Sequence, residues 1–235
     1  MKVQLRIKRF DPEHQPGAWW SEHQLEAEPS DRILDLLNRV KWEQDGSLTY
    51  RRSCAHGICG SDAMQINGTN QLACKSLVKD MGPQIAIEPL RAMRVIKDLV
   101  VDLEPFFGMY RKMQPYLIND EILPADGKER LQSQTQHLRY EDTTKCILCA
   151  CCTSSCPSFW ASQEYIGPQA IVQAHRFLFD SRDRATAERL RLAGDVMGVW
   201  RCHTIFNCTR ACPRSIKITQ AIGEVKRAIA MGGVD

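Results

Sequence analysis

Apolar and polar residues alternate at the start of the chain, with Val3, Leu5 and Ile7 on one face and Lys2, Gln4, Arg6 and Lys8 on the other. A period of two marks a strand with one buried face. Residues 19–27 can return beside it. Ser30 is then placed as an N-cap, because Ile33, Leu36, Leu37 and Val40 recur at helical spacing before Gly46 stops the run. Segments 63–66 and 72–74 flank Asn67-Gly68, a strong tight-turn signal, and 85–87 can close a sheet. Residues 90–113 read as a linker helix. Beyond them the periodicity is helical: Gly167-Pro168 opens an apolar-rich helix through Ile171, Val172 and Phe177, with proline at a favoured first position. Helices over 185–196 and 218–231 follow. The pattern predicts an α+β chain of two domains, a small sheet with one helix over 1–97 and a mainly helical domain over 98–235.

Composition narrows the function classes. The chain has 235 residues, 43% of them apolar, enough to bury a core in each domain. A net charge of +3 is too balanced to point to nucleic acid. No apolar run approaches the ~20 residues of a membrane span: Val100, Val101 and Leu103 are broken by Asp102 and Glu104. The chain opens on a strand-like segment with no basic-then-apolar leader, so a soluble chain inside the cell is expected.

The eleven cysteines carry the chemistry. Cys146, Cys149, Cys152 and Cys156, followed by Pro157, form C-x2-C-x2-C-x3-C-P, the bacterial ferredoxin run whose fourth cysteine serves the other cluster of a pair. The frame returns as Cys202, Ile205, Cys208 and Cys212, followed by Pro213, with isoleucine at the second ligand position. The cross-over rule assigns Cys146, Cys149, Cys152 and Cys212 to a [4Fe–4S] cluster. It leaves Cys156, Cys202 and Cys208 for a cluster lacking one iron, [3Fe–4S]. Upstream, Cys54, Cys59, Asp62 and Cys74 match the plant-type [2Fe–2S] loop C-x4-C-x2-C…C, with aspartate in the third place. A carboxylate can ligate iron, though it is harder than a thiolate; a Gly-Ser-Asp stretch is also a common turn. Cys151 is left over. Disulfides do not suit a reducing compartment. Structural zinc explains C-x2-C pairs but not a repeated run ending in C-x3-C-P, nor the plant-type loop. Strands, one helix and a cysteine loop resemble the β-grasp fold of plant-type ferredoxins, in which Gly57 and Gly60 would let the loop backbone approach its cluster.

Three stretches, R-S-C-A-H-G-I-C-G-S-D (52–62), C-I-L-C-A-C-C-T-S-S-C-P-S-F-W (146–160) and R-C-H-T-I-F-N-C-T-R-A-C-P (201–213), together resemble the iron–sulfur subunits of succinate:quinone oxidoreductase. The resemblance spans essentially the whole chain. It implies a β-grasp [2Fe–2S] domain followed by a helical two-cluster domain, and ligand sets at the positions given by spacing. It also implies a partner flavoprotein that oxidises succinate at a covalent FAD, with electrons passing through [2Fe–2S], [4Fe–4S] and [3Fe–4S] to a membrane quinone. Membrane anchor subunits, of a kind that can carry haem b, would hold the chain at the cytoplasmic face of the bacterial inner membrane. By the same resemblance Pro157, Trp160, His203 and Ile205 lie near the exit cluster and the quinone. Where the family usually has a second tryptophan, this chain has Ala161.

The chain itself carries no G-x-G-x-x-G after a strand, hence no flavin site of its own. Arg201, Arg210, Arg214 and Lys217 crowd the second run, where they would favour a reduced, more negative cluster and meet lipid headgroups. Rival readings are a quinol:fumarate reductase subunit of the same architecture, the iron–sulfur subunit of another flavin dehydrogenase, and a zinc-stabilised interaction module.

Overall fold

The computed structural model describes residues 1–14, 16–124 and 127–234. It divides into two compact units: the first comprises residues 1–103, 147–155 and 211–213, the second residues 104–146, 156–210 and 214–235.

The first unit is built on a five-stranded sheet in the order β2-β1-β5-β3-β4. Its strands are β1 (Lys2–Arg9), β2 (Trp19–Glu26), β3 (Ala63–Ile66), β4 (Thr69–Leu72) and β5 (Gln84–Glu88). β1 pairs antiparallel with β2 and parallel with β5, placing Ile85 and Ile87 beside Leu5 and Ile7. Their side chains close over α1 (Ile33–Arg39), whose Ile33, Leu36 and Leu37 are fully buried. The helix winds on into a π-turn over Val40–Gln44, and a single turn, α2 (Val78–Met81), precedes β5.

Three local expectations are corrected. The helix is capped by Arg32 rather than Ser30, because the Asp35 carboxylate accepts the Arg32 N–H at 3.0 Å. The strand expected at 72–74 begins at Thr69: Asn67 and Gly68 both adopt positive φ (48° and 78°), a two-residue turn that pairs Ile66 directly with Thr69. The linker helix forms only at its end, as α3 (Glu104–Lys112). Before it the chain makes a hairpin, β6 (Val95–Lys97) and β7 (Val100–Val101), because Asp98 between them is drawn into the first unit. Asp98 is fully buried and accepts from Arg9 Nε at 2.9 Å, Phe10 N at 3.1 Å and Thr49 N at 2.8 Å. Arg9 also reaches Asp45.

The second unit is helical. It holds α3, α4 (Gln134–Leu138), α5 (Glu141–Thr144), α7 (Pro157–Ala161), α8 (Gly167–Leu178), α9 (Thr186–Ala193), α10 (Asn207–Arg210) and α11 (Ile218–Met231), while α6 (Cys151–Ser154) lies in the first unit. α8 starts at the Gly-Pro pair and α11 spans the stretch its periodicity marks. The two pack together, and Ala170, Ile171 and Ala174 on one and Ile222 and Val225 on the other are buried. Arg189 on α9 is fully buried, ion-paired with Asp183, and donates to the carbonyls of Gln114 at 3.0 Å and Tyr116 at 2.7 Å. Among the described residues no helix is long and apolar enough to cross a membrane.

Removing Asp98 takes one of two carboxylates from the buried Arg9 guanidinium and leaves the N–H groups of Phe10 and Thr49 without their acceptor, a loss of ~3–5 kcal/mol. Asp98→Ala is therefore expected to lower the urea midpoint of the purified protein sharply, and the apolar double replacement Arg9→Met/Asp98→Leu should not restore it, because the Phe10 and Thr49 amides stay unpaired and Asp45 loses its cation. A midpoint within error of wild type in Asp98→Ala would contradict this account.

Candidate metal centres

The loop after Cys54 curls so that three backbone amides converge on one sulfur. Cys54 Sγ accepts from the N–H groups of His56, Ile58 and Cys59 at 3.5, 3.4 and 3.3 Å. Those bonds, His56 first, hold its thiol down at about 6. Such donors favour the thiolate, the form that binds metal. Cys59 Sγ lies 3.1 Å from the Ser61 hydroxyl.

Asp62 sits just before β3 and is 2% exposed. Its Oδ2 accepts the Cys74 N–H at 2.6 Å, while its Oδ1 is buried without a hydrogen-bond partner. A buried polar atom left without a partner costs ~1–3 kcal/mol, and a cation is the natural way to satisfy it. Burial, and then Asp62 alongside, pushes the Cys74 thiol up to about 12. A cation bound between them would displace that proton. Three thiols, one of them amide-lined, and an orphan carboxylate oxygen fit a [2Fe–2S] cluster.

The two later runs share a backbone conformation. In the first, Leu148 and Ala150 flank Cys149 with φ of 56° and 64°; in the second, Thr204 and Phe206 flank Ile205 with φ of 57° and 68°. Each loop then enters a one-turn helix at the corresponding place, Cys151–Ser154 and Asn207–Arg210. Positive φ is uncommon for non-glycine residues and an outlier for a β-branched threonine. Its recurrence in register shows that Ile205 occupies the backbone station of Cys149.

Within the first unit, the thiol of the buried left-over Cys151 hydrogen-bonds Cys149 and is raised by it, with Cys152 and Cys212 adding to the rise, while Cys149 is lowered. The Cys151 carbonyl accepts from Asn70 Nδ2 at 3.3 Å. Cys146 ends a stretch of the second unit. Gly60 is held in the left-handed region. With φ of +68°, it lies against the Cys149 loop, where an added Cβ would fall 2.7 Å from Cys149 Cβ and 3.0 Å from the Ile147 oxygen.

In the second unit, Cys156, Cys202 and Cys208 line one narrow cleft together with Pro157, His203 and Ile205. Burial raises the Cys156 and Cys208 thiols. Trp160, on α7, does not line the cleft and stands 36% exposed. Ile205 is 48% exposed, and Phe206 beside it is 54% exposed. The periodicity reading passed over Phe206, although an aromatic next to the missing cysteine was visible. It also passed over Thr219 and Lys226, which no motif marks: Thr219 lines the cleft, and Lys226 Nζ donates to the Cys202 carbonyl at 2.8 Å.

The chain is similar to known iron–sulfur proteins. Residues 4–108 match the family described as "2Fe-2S iron-sulfur cluster binding domain", and 138–213 match "4Fe-4S dicluster domain". The chain is 48% identical over 200 residues to the mitochondrial succinate dehydrogenase (ubiquinone) iron–sulfur subunit of Candida glabrata, covering 84% of this chain and 79% of that one. It is 45% identical over 196 residues to the mitochondrial succinate dehydrogenase (ubiquinone) iron–sulfur subunit 1 of Oryza sativa subsp. japonica, covering 83% and 70%. A chain of the Mycobacterium smegmatis Sdh1 complex in the apo form superposes with a TM-score of 0.86 at 27% identity, over 98% of this chain and 96% of that one.

An alanine at Gly60 combines a left-handed penalty of ~1–2 kcal/mol with a clash against the Cys149 backbone. Gly60→Ala should purify with a clear loss of iron and of visible absorbance. Gly68→Ala, where an added Cβ meets nothing within 4 Å, should lose stability only. Equal iron content in both variants would contradict the close-approach role.

Proposed function

Because the chain belongs to the iron–sulfur subunits of succinate dehydrogenase, we propose that Cys54, Cys59, Asp62 and Cys74 hold a [2Fe–2S] cluster, Cys146, Cys149, Cys152 and Cys212 a [4Fe–4S] cluster, and Cys156, Cys202 and Cys208 a [3Fe–4S] cluster. As the electron-transfer subunit of succinate:quinone oxidoreductase, it works with a flavoprotein subunit that carries FAD and with membrane anchor subunits. It is the electron path from succinate oxidation to quinone. When bound, the clusters supply the one-electron carriers, and the chain's own residues decide where each sits and how readily it is reduced. In this proposal residues 1–97 form the [2Fe–2S] domain and 98–235 the two-cluster domain.

The observation that carries the reading is the shared backbone of the two runs, with Ile205 standing where Cys149 stands in the first. A loop of the same shape that offers hydrocarbon in place of a thiolate cannot complete a cube through that position. Amide donors at Cys54 stabilise negative charge at the entry loop. Asp62 contributes a carboxylate where the related spacing has cysteine. Pro157, His203 and Ile205, which line the exit cleft, form this chain's side of a quinone site, to which Trp160 also belongs by the family resemblance. The chain associates peripherally with the membrane, and we place it at the cytoplasmic face of a bacterial inner membrane. The named relatives are succinate dehydrogenases, so the fumarate-reducing alternative is not favoured.

Two substitutions test the roles. In the purified complex, Cys208→Ser should abolish the near-isotropic EPR signal of the oxidised state and reduce succinate:quinone activity by more than tenfold, on the order of 1.4 kcal/mol or more of barrier. Succinate oxidation with an artificial dye should persist; parallel loss of both activities would sink the division of roles. Asp62→Ala should specifically lose the [2Fe–2S] signal, and a full-intensity signal would exclude Asp62 as a ligand.

A further inference from the structure

Beside the exit cysteines lie two threonines to which no ligand or quinone role is assigned. Thr209 follows Cys208 on α10, and Thr219 is the second residue of α11. Cys208 is 7% exposed and Thr219 9%. The Thr219 N–H, one of the first-turn amides a helix cannot satisfy internally, donates to Thr209 Oγ1 at 3.0 Å. The two hydroxyl oxygens stand 2.8 Å apart, and Thr219 Oγ1 lies 3.7 Å from Cys208 Sγ.

Proton counting fixes the direction of this chain once Cys208 ligates iron. A thiolate has no proton to give, so the hydroxyl must be the donor. Thr219 has one hydroxyl proton, and if that points at sulfur its oxygen must accept from Thr209. The Thr209 oxygen is in turn satisfied by the Thr219 amide. Each proton is used once, and the amide, the two hydroxyls and the sulfur form a directed series.

We propose that Thr219, oriented by Thr209, is a positioning residue for the exit centre: its hydroxyl donates to the Cys208 sulfur and raises the reduction potential of the [3Fe–4S] cluster. The physical cause is that reduction adds negative charge to the cluster and its sulfurs, and a donor aimed at sulfur stabilises the reduced form more than the oxidised one. Burial keeps water from competing, and each bond in the series polarises the next. The inference rests on the assignment of Cys208 to the exit cluster, and the experiment separates the two.

The test is an EPR-monitored redox titration of the purified complex carrying Thr219→Val, Thr219→Ser, Thr209→Val or Cys208→Ser. Thr219→Val should retain the oxidised-state signal yet lower the reduced-to-oxidised ratio at the wild-type midpoint by roughly tenfold, equivalent to about 59 mV for one electron. Thr209→Val should move it the same way by less, Thr219→Ser should sit near wild type, and the [2Fe–2S] midpoint should not move. An unshifted midpoint in Thr219→Val, an equal shift in Thr219→Ser, or a matching shift at [2Fe–2S] overturns the proposal. Loss of the signal in both valine variants also overturns it, since the hydroxyls would then hold the loop rather than tune the centre. If the signal is missing from wild type, or survives intact in Cys208→Ser, the ligand assignment fails and the proposal with it.

Discussion

Leu148 and Ala150, and again Thr204 and Phe206, are held with φ between 56° and 68°. Each left-handed residue costs ~1–2 kcal/mol. Left-handed residues placed along a chain turn successive N–H groups toward one concave side, a shape that suits an anion. A cluster held by several thiolates is such an anion, and metal binding to a site of this kind contributes folding free energy that can offset the strain. The loops are therefore intelligible only as half of a metal centre. A one-turn helix ends each run.

With the backbone so constrained, the identity of each centre falls to side chains. Cys149 and Ile205 occupy equivalent stations, and the difference between a complete and an incomplete cube reduces to sulfur or hydrocarbon at that point. At the plant-type loop the substitution is gentler, since Asp62 keeps one oxygen tied to the Cys74 amide and leaves the other bare. Gly60 belongs to the same economy of space. Its missing side chain lets the plant-type loop lie directly on the Cys149 loop within the first unit.

Much of this was legible in the sequence because metal spacing leaves little freedom. Alternation over Val3, Leu5 and Ile7, the Asn67-Gly68 turn and the periodicity of 218–231 each correspond to one element. The errors were made where a long-range polar contact outweighs local pattern. Residues 90–103 have helical character, but Asp98 finds Arg9 some ninety positions away and pulls the chain into a hairpin. Ser30 is a good cap by type, yet Asp35 serves the amide of Arg32 instead. Thr209 and Thr219 could not be linked from sequence, because hydroxyls ten residues apart meet only when the loop after Pro213 folds back.

The two ends of the path are therefore tuned by different means. Cys54 receives its donors from backbone amides of His56, Ile58 and Cys59, which any replacement side chain except proline would still supply. Cys208 has a side-chain hydroxyl within reach, and a single substitution can remove it. Backbone donation sets the entry loop as firmly as the fold itself, whereas the exit lies within reach of point mutation. A subunit that must deliver electrons downhill to quinones of differing potential gains from that asymmetry. The driving force of the last step can change at Thr219 or Thr209 while the loops, the ligand spacing and the entry centre remain as they are.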